Sequence, residues 1–148
     1  MKYQLAQINI GRTKGLPDSE VMQGFMAALD EINALADRTP GFVWRLQSDA
    51  GNAMDIRAFD DPLLAINMSV WRDIESLFGY VYQSNHTDFL KRRKEWFEPF
   101  DSSHACMWWV PAGRRPTMAE GKERLDHFNK HGASVFSFSF KESYSSPG

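Results

Sequence analysis

The chain has a single cysteine, Cys106, so it has no route to an intrachain disulfide or to a metal site built on thiolates. That economy fits a reducing compartment, and the expected location is the cytoplasm. Nowhere do about 18 apolar residues run together, so no membrane span is expected. The opening segment, Met1-Lys2-Tyr3-Gln4-Leu5-Ala6-Gln7, lacks the apolar run of a secretory signal. An excess of one charge is missing too: 17 Lys and Arg stand against 19 Asp and Glu, a net of -2. A partner held by phosphate neutralisation, nucleic acid above all, is thereby disfavoured. No repeat with a period of about 20 to 50 residues occurs, which excludes solenoids and propellers.

What is present is core-forming material. At 148 residues, 43% hydrophobic and 14% aromatic, the chain matches one globular domain. We place that domain at residues 1–141 and read the Ser-rich residues 142–148 as a flexible tail. Tyr3 to Ile10 alternates, with Ala6, Ile8 and Ile10 on one face and Leu5, Gln7 and Asn9 on the other, as a strand requires. Val21, Phe25, Leu29, Ile32 and Leu35 recur at helical spacing until Thr39-Pro40-Gly41 ends the pattern. Phe42 to Gln47 reads as a second strand, Ile56 to Phe59 as a short pairing segment, and Leu63 to Trp71 as a third strand. Asp73 can cap a helix bearing Ile74, Leu77, Phe78 and Val81. Ser84-Asn85 can begin another that carries His86, Phe89, Arg93, Trp96 and Phe97. Ala105 to Val110, apolar on both faces, reads as a buried strand. Thr117 and Glu120 form a capping box for a helix ending at Gly132, and Phe136, Phe138 and Phe140 alternate with serines as a short fifth strand.

That order suits a split βαβ, or ferredoxin-like, α+β sheet with helices over one face. If the helices cover Ile8, Ile10, Ile66, Met68 and Val70, the opposite face shows Gln7, Asn9, Asn67, Ser69 and Trp71. Two such faces packed together in a homodimer would bury tryptophans around a polar-lined cavity.

Several strings occur jointly: Leu5-Ala6-Gln7-Ile8-Asn9-Ile10-Gly11, Pro40-Gly41-Phe42-Val43-Trp44-Arg45-Leu46-Gln47, Phe59-Asp60-Asp61-Pro62-Leu63, Ser69-Val70-Trp71 and Trp108-Trp109-Val110-Pro111-Ala112-Gly113. In these the chain resembles a bacterial domain-of-unknown-function family of the dimeric α+β barrel superfamily, over about residues 3 to 140. The resemblance implies a dimeric α+β barrel. Its wider relatives include antibiotic-biosynthesis-type monooxygenases, haem-degrading monooxygenases and chlorite dismutase-like haem proteins, so it implies oxygenase-like chemistry and makes haem a possible cofactor. Haem-degrading relatives use a first-strand asparagine, which Asn9 matches. Their second-helix histidine falls several residues after His86, and their tryptophan falls near Tyr80.

The expected catalytic residues are His86 and Asn9. His86 follows Ser84-Asn85 at a helix start, where the dipole favours a neutral imidazole that can accept a proton or bind iron. The plainer alternative is a capping or packing histidine. Gln7, Asn67 and Ser69 add donors and acceptors that can orient a carbonyl, phenol or bound oxygen, or else satisfy one another in a core. Trp44, Trp71 and Trp108 are the expected aromatic wall, with core packing as their plainer reading. His127 and His131, one turn apart, read as a solvated pair, and Asp60-Asp61 as a turn; no metal site is expected. One arginine of Lys91-Arg92-Arg93-Lys94 is expected to turn inward to a carboxylate. Two functions remain open: an enzyme of monooxygenase type acting on a small aromatic or apolar molecule, and a non-catalytic binding module with the same cavity.

Overall fold

A computed structural model describes residues 2–47, 53–54, 61, 63–82, 91–98 and 104–147. Its elements are β1 (Tyr3–Arg12), a 3-10 turn (Glu20–Met22), α1 (Gln23–Asp37), β2 (Phe42–Arg45), β3 (Leu64–Trp71), α2 (Ile74–Tyr82), α3 (Arg93–Trp96), β4 (Ala105–Pro111) and α4 (Met118–His131). The four strands form one antiparallel sheet in the order β2-β3-β1-β4, which is the ferredoxin-like α+β arrangement expected from the sequence. The expected segment at Ile56 to Phe59 and the Ser84-Asn85 helix start lie outside the described residues. Among the described residues no helix is long and apolar enough to cross a membrane.

Because side chains alternate along a strand, β1 and its neighbours divide into two faces. The face of Ala6, Ile8 and Ile10 joins Ile66, Met68, Val70, Cys106, Trp108 and Val110 in one buried cluster, closed by Leu125 of α4. The face of Leu5, Trp71 and Met107 packs against Leu77 and Tyr80 of α2 and against Ile32, Leu35 and Ala36 of α1. This reverses the expected assignment. The helices α1 and α2 sit on the half-polar face, and the apolar face is covered by the C-terminal α4. The helices α1 and α2 pack on Leu5, Trp71 and Met107, whereas α4 lies close to the other face of the sheet. Gly121 permits that approach, since a Cβ there would stand 2.9 Å from Ile8 Cδ1 and 3.1 Å from Met68 Sδ.

Two helix caps appear as expected. Asp73 Oδ1 accepts from the Ser76 backbone N–H at 2.8 Å, and Thr117 Oγ1 from that of Glu120 at 3.1 Å. The Glu120 carboxylate does not complete the box; it accepts from Trp108 Nε1 at 2.7 Å and pairs with Arg114. The expected fifth strand is not one. Only Phe138 pairs with the outer edge of β4, by reciprocal bonds of 2.8 and 2.9 Å with Met107, and the residues around it form a strap. Beyond it, the Tyr144 carbonyl accepts from Trp109 Nε1 at 2.8 Å and its ring packs on Phe138.

Filling the space at Gly121 tests the α4 contact. Gly121→Leu should lower unfolding free energy by about 1 to 3 kcal/mol through overpacking. Urea unfolding monitored by tryptophan fluorescence measures it, and an unchanged midpoint would show that α4 does not pack as described.

Candidate functional site

Between the half-polar sheet face and the α1–α2 layer lies a pocket of about 310 Å³. It falls near the lower end of the range for small-molecule sites, roughly 300 to 1,000 Å³. It belongs to one chain, not to a space between two sheets, which corrects the cavity expected from the sequence.

The floor of the pocket is a strip of polar side chains set by register. Gln7 pairs across with Ser69, and Asn9 with Asn67, so four uncharged polar residues share one patch of the sheet. Gln7 Nε2 donates to Asn67 Oδ1 at 2.7 Å and to Ser69 Oγ at 2.8 Å, and Trp71 Nε1 donates to the same Ser69 oxygen at 2.8 Å. The serine oxygen thus takes two donors, leaving its own proton without an acceptor among the described residues. Gln7 Oε1 and the whole Asn9 amide are likewise unspent among the described residues. Phe25, Leu29 and Ile32 of α1 form the apolar roof, with buried Asn33 among them. Trp71 stacks on Tyr80 at 5.0 Å, and Tyr80 donates its hydroxyl to the Ile32 carbonyl at 3.2 Å. Burial drives the Tyr80 hydroxyl far above the usual phenol range, so it stays protonated.

Of the residues expected at the site, Gln7, Asn9, Asn67, Ser69 and Trp71 line the pocket together. Trp44 and Trp108 do not. Trp108 pairs with Ala6 and so occupies the α4 face, where Glu120 holds its ring nitrogen. Trp44 is turned by a β-bulge: Phe42 pairs with Trp71 but Trp44 with Val70, so two residues that would share a face point to opposite ones. Phe42 therefore takes the place expected for Trp44. His86 lies outside the described residues.

Sequence reasoning missed three polar contributors. Asn33 sits on α1 amid apolar neighbours, and its helical spacing was hidden by them. Arg93 and His104 line the pocket near Gly11, the former from α3 and the latter from the residue before β4. The arginine expected to meet a carboxylate does not: Arg92 pairs with Glu95 at the surface, whereas half-buried Arg93 rests on the Phe97 ring at 5.0 Å. His104, ordinarily near 6.5, is pushed down by burial and then by the Arg93 charge, so its imidazole is neutral at pH 7. Cys106 is no nucleophile, because burial on the α4 side of its strand pushes its thiol up to about 12. Asp61 bonds the Leu63 backbone N–H at 2.9 Å, a turn, while Asp60 lies outside the described residues. His127 and His131 are not fully solvated, their rings being 4.6 Å apart and His127 packing on Phe136, and among the described residues no three metal ligands cluster.

The His104 shift has a stability consequence. Unfolded, this histidine takes a proton at higher pH than when folded, so its contribution is intact above about 6.5 and is lost as pH falls through that value. Melting temperatures at pH 7.5 and 5.5 should drop less between the two for His104→Gln than for the unchanged protein. An equal drop would mean that another group carries the acid sensitivity.

The chain is similar to several proteins of known structure. SnoaB, a cofactor-independent oxygenase from Streptomyces nogalater, is similar at 17% identity and TM-score 0.47, over 76% of this chain and 95% of that one. The NE2512 protein of unknown function from Nitrosomonas europaea is similar at 13% identity and TM-score 0.48, over 78% and 96%. PA3566 from Pseudomonas aeruginosa is similar at 15% identity and TM-score 0.45, over 78% and 98%. No curated protein matches the sequence. The family model described as domain of unknown function DUF3291 matches residues 4–148, and the chain belongs to that family.

Proposed function

We propose that this domain binds one small, mainly apolar molecule in the pocket beneath α1 and α2, oriented by the Gln7–Asn9–Asn67–Ser69 strip. One observation carries the reading: hydrogen-bonding capacity is left unspent toward an apolar cavity. A serine proton and a half-buried asparagine amide with no partner among the described residues are costly inside a folded protein unless something else meets them. A ligand carbonyl supplies an acceptor for Ser69 and Asn9, and a ligand phenol supplies that acceptor together with a donor for Gln7 Oε1. The aromatic wall of Phe42, Trp71 and Tyr80 favours a flat ring system.

Haem, raised by the resemblance, does not fit the described pocket. A volume of about 310 Å³ suits a compact molecule better than a tetrapyrrole with two propionates, for which Arg93 is, among the described lining residues, the one arginine without a carboxylate partner. A second reading, oxygenase-like turnover of an acidic phenol or enol, draws on His104: a neutral imidazole beside a cation favours removing a proton from such a substrate. Oxygen consumption with electron-rich phenols tests it, and a rate no greater than that without protein rejects it.

The binding reading separates two variants. Biphenyl-4-carboxamide, flat, neutral and able both to donate and to accept, is the probe. Asn9→Ala should weaken its binding by about 1 to 3 kcal/mol while leaving the melting temperature unchanged, since no described side chain depends on Asn9. Ser69→Ala should lower both, because Gln7 and Trp71 lose their shared acceptor. Titration calorimetry and thermal unfolding decide it, and undiminished probe affinity in Asn9→Ala would remove the strip from the binding site.

A further inference from the structure

The two ends of the pocket differ in chemistry. At the Leu5 end of β1, the Trp71–Tyr80 stack and the edge of Phe42, 5.4 Å from Trp71, make an aromatic wall. At the Gly11 end the lining becomes cationic. Gly11 lacks the Cβ that would stand 2.5 Å from Phe97 Cδ1 and 3.6 Å from Arg93 Nη2, so the Phe97 ring and the guanidinium settle over the strand itself. Asn9 is two residues back on the same face. From Gln7 to Gly11 the strip runs about 14 Å, the reach of an elongated flat molecule.

Arg93 stands apart among the charged groups here. Arg45, the other arginine in the pocket wall, is held by Asp37 at 2.8 Å. Arg12, Arg72, Arg92 and Arg114 also have carboxylate partners. Arg93 has none among the described residues; it has the Phe97 face. A half-buried guanidinium without an anion is costly, and burial already weakens its hold on its proton. His104 is neutral at pH 7, so this end carries one positive charge, which matches a monoanion better than a phosphate dianion. The planar fork of arginine fits a carboxylate through two parallel hydrogen bonds.

We infer that the ligand is an amphiphilic acid, with an aromatic or apolar body against Trp71 and Tyr80 and a carboxylate against Arg93, where Asn9 adds a neutral donor. This rests on the pocket being the small-molecule site proposed above. It goes further in assigning the ligand a charge, a polarity along the sheet and a specificity-determining residue.

The test compares biphenyl-4-carboxylate with biphenyl-4-carboxamide by titration calorimetry at pH 7.5. The unchanged protein should bind the acid at least about tenfold more tightly than the amide, as a charge-assisted pair allows. Arg93→Gln should abolish that preference while amide affinity stays, and Arg93→Lys should keep part of it. Equal affinity for the two in the unchanged protein overturns the inference and leaves the pocket reading standing. So does a preference that survives Arg93→Gln. If neither compound binds, both readings fall. If Arg93→Gln loses the amide as well, Arg93→Lys decides: preference retained supports the inference, and preference lost overturns it.

Discussion

Strand β1 is the constraint on which the rest depends. It is hydrogen-bonded on both sides, to β3 and to β4, and cannot slip by one residue without exchanging its two faces. Ala6, Ile8 and Ile10 are committed to the cluster under α4, so Leu5, Gln7, Asn9 and Gly11 are committed to the other face, where the last three line the pocket. The apolar cluster holds the register, and the register delivers the polar strip as a consequence. Stability and site are thus two sides of one strand.

The strip itself is a compromise between satisfaction and availability. Gln7 and Trp71 both spend their N–H groups on Ser69, which fixes the serine oxygen and aims its proton elsewhere. A fully satisfied network would serve packing alone, and an unsatisfied one would destabilise the sheet by about 1 to 3 kcal/mol per buried group. Here the Gln7 and Trp71 donors are paired, and among the described residues the Asn9 amide nearer Gly11 remains unspent. That gradient parallels the shift from aromatic to cationic lining, with His104 kept neutral beside Arg93.

The C-terminal part of the chain closes what the core fold leaves open. Helix α4 lies over the apolar face, and the strap after it pairs Phe138 with the outer edge of β4. Phe140 then packs edge-on to Phe78 and Tyr82 of α2, beside the pocket. With both sheet faces packed within the chain, the described pocket is lined by residues of one chain.

The sequence by itself determined the strands, the long helix, both caps and the grouping of Gln7, Asn9, Asn67, Ser69 and Trp71, because a period of two and a capping pattern are local properties. It also carried the family resemblance. Only the tertiary structure decided which sheet face the helices cover, since both faces of these strands bear apolar residues and the choice turns on how closely α4 can approach over Gly121. It alone turned Trp44 away, through a bulge that no local pattern announces, and reduced the alternation of Phe136 to Phe140 to a single bridge between Phe138 and Met107. Arg93 and His104 belong to different elements, far apart along the chain. They meet near Gly11 because β4 pairs with β1 while Gly11 leaves room for Phe97 and Arg93, a juxtaposition set by distant packing and invisible to any window of sequence.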